Sequence, residues 1–79
     1  MIERAEEVLH LDEVKLRIAE GDGLVAEQEQ RLEDLRKDGH PTYNAEKTLE
    51  SLKGAVQALR ETQAIIERTL REMEAGKLP

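Results

Sequence analysis

The sequence predicts an all-α fold, an antiparallel two-helix hairpin of coiled-coil type, and three observations carry the prediction. Ala, Glu, Leu, Lys and Arg dominate the chain and charged residues make up 38% of it, which is the composition of long helices rather than of sheets. Apolar residues recur at alternating spacings of three and four in both halves, the heptad pattern of helices that pack along one side. One strong break, "DGHPT" at 38–42, separates the two halves, because Gly and Pro there cannot continue a helix. The whole of 1–79 reads as a single small domain. Tyr43 is its only aromatic residue, so the core must be aliphatic.

The first element poses the main difficulty. Leu11, Val14, Ile18, Gly21, Val25, Gln28, Leu32 and Leu35 form a heptad seam, yet "EGDG" (20–23) sits in the middle of it. The phase is the same on both sides of the glycines, and Gly21 itself falls on a seam position. A loop has no reason to preserve that phase. Two interior glycines cost about 1 kcal/mol each relative to alanine, whereas burying each of the seam's Leu, Ile and Val side chains stabilises by roughly 1.5–3 kcal/mol. One continuous helix from about residue 2 to 37 is therefore expected. "EGDG" also lacks the alternating oxygen ligands of a calcium loop and the Gly-x-x-x-x-Gly-Lys of a phosphate loop.

The link at 38–42 is assigned as a turn, with Gly39 at the end of helix 1, Pro41 in the break and Thr42 as the cap of helix 2. A link this short makes antiparallel neighbours. In helix 2, expected over about 43–75 and stopped by Gly76, the seam runs through Ala45, Leu49, Leu52, Val56, Leu59, Gln63, Ile66, Leu70 and Met73. Folding the two seams together predicts Leu35 near Ala45, Leu32 near Leu49, Val25 near Val56 and Gly21 near Leu59. A glycine facing a larger side chain lets the backbones approach. Gln28 and Gln63 are polar members of the seams, positions that can fix register. Glu3, Glu6 and Glu7 at the start of helix 1 are expected beside Arg68, Arg71 and Lys77 at the end of helix 2.

Helix 1 has more apolar residues than one seam uses. Ile2, Ala5, Leu9, Leu16, Ala19, Gly23 and Ala26, interrupted by Asp12, repeat with the same spacing on nearly the opposite side;. Helix 2 carries a row of mostly small residues: Thr48, Ser51, Ala55, Ala58, Thr62, Ile65 and Thr69. A lone two-helix rod buries little surface for a chain of this size. Self-association through the helix 1 stripe is the expectation, as a homodimer forming a four-helix bundle about a two-fold axis, or as a higher homo-oligomer.

Charge and motif narrow the functions. The net charge is −6, with twelve Lys and Arg interleaved among eighteen acids, whereas a nucleic-acid binder needs a concentrated basic face. Neither nucleic acid nor a membrane is an expected partner; the partners expected are a second copy and an unidentified protein. The N-terminal "MIERAEEVLHLDEVK" is charged throughout, and a cytoplasmic protein is expected. There is no cysteine. Glu7 and His10 form a Glu-x-x-His on a helix, the spacing that ligates metal in di-iron bundles, and Glu67 or Glu74 would have to complete such a site. With so many acids in the chain the spacing is cheap, so no metal and no cofactor are assigned. His40 and Tyr43 mark the tip as a candidate partner-binding point. No nucleophile accompanies His40, and no catalytic residue is assigned.

The run from Leu24 to Leu70 resembles short uncharacterised bacterial helical-hairpin proteins in which an "L-x-x-L-x-x-x-G-H-x-T" turn joins two helices. The matching positions are Gln28, Leu32, Leu35, Gly39, His40, Thr42, Ala45, Leu49, Leu52, Ile66 and Leu70, while Pro41 and Gln63 stand where the pattern often has Asp and His. The resemblance implies a helical hairpin without an assigned activity. The expected function is a non-catalytic structural or protein–protein interaction module. A small metal-binding bundle using His10 and nearby carboxylates is the alternative, followed by an RNA-binding hairpin dimer, which the net charge disfavours.

Overall fold

The computed structural model describes residues 3–76, which form two α-helices, α1 (Arg4–Lys37) and α2 (Tyr43–Glu74), packed side by side as an antiparallel hairpin. Ile2 and Lys77 lie outside the described residues. The molecule is a rod with extents of 59 × 16 × 15 Å. The all-α hairpin expected from the sequence is the fold observed, and α1 passes through residues 20–24 without a break.

Gly21 explains how. A Cβ built on it would lie 2.6 Å from Cγ2 of Val56, inside any normal carbon contact;. The valine fills the space that a side chain on α1 would need at this position. Helix propensity lost at Gly21 is offset by packing across the seam. Gly23 has no such role within the chain, since nothing lies within 4 Å of its Cβ position.

The ion pairs across the helices follow the expected register: Asp22 with Arg60 and Arg36 with Glu46 each lie one residue past seam positions expected to face one another, Gly21 with Leu59 and Leu35 with Ala45. Within that register the side chain seated on Gly21 is Val56, and Gln28 donates Nε2 to the Ala45 carbonyl at 3.0 Å. The link closes α1. Gly39 takes a left-handed φ of 73°, which only glycine adopts without strain. The His40 N–H then donates to the Leu35 carbonyl at 2.9 Å and the Gly39 N–H to the Arg36 carbonyl at 3.2 Å. These two bonds form a Schellman closure of α1. Thr42 occupies the cap position of α2, but its side chain makes no capping hydrogen bond.

The core is thin. Val14, Ile18, Ile66 and Leu70 form one cluster, with Leu11, Leu59 and Met73 packed against it. Leu32, Ala45 and Val56 are buried nearer the tip. Even the deepest side chains, Val14 and Ile66, remain 4% exposed. Gln28 and Gln63 are both half-buried. Only Gln28 crosses the seam, whereas Gln63 donates to Glu67 on its own helix at 3.5 Å.

Candidate interaction surface

The two long flanks of the hairpin are unlike each other. Along one runs a ladder of ion pairs: Asp22 with Arg60 at 2.8 Å, Glu29 with Lys53 at 3.9 Å and Arg36 with Glu46 at 3.2 Å. Successive rungs step seven residues up α1 and seven down α2, one per heptad. Each pair is roughly half-exposed, so each contributes only about 0–1 kcal/mol. Their joint effect is to favour this register over one displaced by a turn. At the open end, Arg4 pairs with Glu74 at 2.7 Å. This reverses the expected polarity, which set Glu3, Glu6 and Glu7 against Arg68 and Arg71; among the described residues those do not pair across the helices. Every ladder position lies one residue past a seam position, after Gly21, Gln28 and Leu35 in α1 and after Ala45, Leu52 and Leu59 in α2, and that offset is the sequence signal that would have located them.

The opposite flank has no ion pair between the helices among the described residues. It carries Leu24, exposed by 51%, and a shallow groove of about 350 Å³ between Gln28, Arg31 and Leu35 of α1 and Pro41, Asn44 and Thr48 of the returning chain. The row of small residues on α2 borders this flank, and Ile65 in it is 56% exposed. Thr48, Thr62 and Thr69 each donate their hydroxyl to the carbonyl four residues back, at 3.0–3.1 Å. Their donors are satisfied inside the helix, so covering this face would strand none of them.

The outer side of α1 is the third surface. Leu9 and Leu16 are 64% and 61% exposed, with Val8 at 37% beside them. Ala5, Asp12, Ala19, Gly23 and Ala26 are exposed along the same line. The apolar residues of α1 thus occupy two opposed sides and nearly cancel as an amphipathic direction, whereas α2 is clearly one-sided. By helical periodicity the α1 stripe lies roughly 150° from its seam and the α2 row roughly 100° from its own. The two rows do not merge into one face. Glu6, Glu13, Glu20, Glu27 and Asp34, seven residues apart and all exposed, form an acidic row immediately beside the stripe.

His40 and Tyr43 are exposed at the tip, Tyr43 by 68%, with the Lys47 ammonium 5.7 Å from its ring centroid. The main chain of His40, not its ring, caps α1. His10 is exposed and Glu7 half-buried. Glu74 is held by Arg4, and among the described residues no three acidic or His side chains gather as a metal cluster. No helix of the described residues is long and apolar enough to cross a membrane.

Comparison with known proteins finds no family model, no curated protein and no solved structure that matches this chain.

Proposed function

We propose that this hairpin is a non-catalytic, self-associating structural or protein–protein interaction module, and that a second copy covers the exposed stripe of α1. The observation that carries the proposal is the mismatch between surface and mass. The chain exposes 5903 Å² at 9.0 kDa, while a compact monomer of that mass exposes about 4,900 Å². The difference, on the order of 1,000 Å², exceeds the roughly 800 Å² that each partner contributes to a standard interface. Leu9 and Leu16 stand in that extra surface at more than half exposure, and they are the side chains that gain most from being covered. In the proposal the assembly has four helices, with α1 of each copy at the contact and α2 outermost, because the stripe lies nearly opposite the seam, and the tip residues His40 and Tyr43 are left free for a further protein partner. A cytoplasmic setting and the likeness to bacterial hairpin proteins belong to the same proposal.

Sedimentation equilibrium over a wide concentration range tests it. The wild-type chain is expected to sediment as a dimer or higher homo-oligomer. Leu16→Glu is expected to weaken association at least tenfold, because it replaces buried apolar area with a charge, while helicity is retained. A chain that stays monomeric at the highest concentrations, or a Leu16→Glu variant that associates as well as wild type, would remove the stripe as the interface.

A further inference from the structure

Resting on that self-association, we infer that two copies pack α1 against α1 in opposite directions, with the two-fold axis passing between Leu16 and Ala19 and the two tips pointing away from each other. The stripe is graded along its length. Its bulky members, Leu9 and Leu16, lie toward the start of α1, and its small ones, Ala19, Gly23 and Ala26, lie toward the middle. Opposed helices set Leu16 on the partner's Ala19, Leu9 on the partner's Ala26 and Asp12 on the partner's Gly23. Large meets small in each of these three layers, as Gly21 meets Val56 within the hairpin, and the helix axes keep one separation from residue 9 to residue 26. Gly23 supports this independently. A side chain there would meet nothing within 4 Å in the single chain, so the hairpin itself does not need a glycine at a position where glycine weakens a helix. Gly54 is equally open, on the outer side of α2, and nothing in the structure explains it.

Helices running the same way would stack Leu on Leu and Gly on Gly, requiring two different separations. They would also place Asp12 on the partner's Asp12 inside the contact seam, where like charges lose their water. The opposed arrangement has an electrostatic cost of its own, since Glu20 comes beside the partner's Glu20 and Glu13 beside the partner's Glu27. Those carboxylates sit at the rim, hydrated and screened by salt. A buried like-charged layer costs far more than solvated acids at a rim, which decides the direction.

The two arrangements separate the tips differently. The chain has no native cysteine, so His40→Cys introduces a single site for a spin label at an exposed tip position. In the dimer, opposed rods place the two labels about 60–65 Å apart from the helical rise, whereas rods running together place them within roughly 30 Å. A single long distance by pulsed electron resonance is expected, and a short one in a dimeric sample would overturn the opposed packing while leaving self-association intact. Glu20→Gln gives a second readout in sign. It is expected to tighten the opposed dimer by about twofold, by removing a like-charge contact. In the same-direction dimer Glu20 would face the partner's Lys15, so a loosened dimer overturns the inference. A protein that sediments only as monomer overturns the self-association proposal itself, and this arrangement with it.

Discussion

The close approach at Gly21 offers a severe test of the hairpin's construction. Adding a single methyl group, as Gly21→Ala, places carbon 2.6 Å from Cγ2 of Val56, about 1 Å or more inside the optimal carbon separation. Val56 is buried, 7% exposed, and a β-branched side chain in a helix has one strongly preferred rotamer. Relief therefore demands an unfavourable rotamer or a wider helix separation, an overpacking cost of about 1–3 kcal/mol. Replacing a mid-helix glycine returns about 1 kcal/mol, so the net effect is expected to be a loss of about 0–2 kcal/mol. Gly23→Ala gains the same propensity of about 1 kcal/mol and meets nothing. The two variants should differ by about 1–3 kcal/mol, several degrees or more in Tm for a domain of this size. Urea and thermal unfolding followed by circular dichroism, both variants in a Leu16→Glu background to remove association from the comparison, measure the difference. Adding Val56→Ala should relieve Gly21→Ala, with a coupling of at least about 1 kcal/mol. If Gly21→Ala stabilises as much as Gly23→Ala, the backbones do not meet at this point and the register is wrong.

Three further outcomes are expected. Ile66→Ala, at the centre of the cluster with Val14, Ile18 and Leu70, should cost about 2–5 kcal/mol. Denaturant titration would show much of the chain's stability gone, and a loss below about 1 kcal/mol would place the core elsewhere. Arg60→Asp should cost only about 0–1 kcal/mol as a break in a solvated pair, and Asp22→Arg in the same chain should restore it; an unrestored double variant would mean that this rung does not set the register. Zinc or ferrous ion at saturating concentration is expected to leave Tm unchanged, because a ligand stabilises only what it binds in the folded state. A concentration-dependent rise that Glu7→Gln and His10→Ala abolish would instead establish the metal-binding alternative.

Much of the architecture was legible because periodicity is a local signal. The unbroken phase from Leu11 to Leu35 reported that α1 runs through "EGDG", and the Gly-His-Pro break located the turn. The register was legible to about one turn. Which side chain seats on Gly21 was not, since Val56 rather than Leu59 fills that space, and side-chain direction along a helix is not carried by heptad spacing. The ion-pair ladder went unread although its rungs lie one residue past those same seam positions. The exposed stripe was visible as a pattern, and the structure adds that Leu9 and Leu16 find no cover within the chain. Self-association depends on a second molecule, about which one chain's periodicity carries only indirect information.

Continuity of α1 underlies the register, the ladder and both apolar faces, and nuclear magnetic resonance of residues 20–24 tests it most directly. Helical carbon shifts through Glu20, Gly21, Asp22, Gly23 and Leu24, with slowed amide exchange at Leu24 and Val25, are expected. Random-coil shifts and unprotected amides in that segment, between helical flanks, would contradict the hairpin described above.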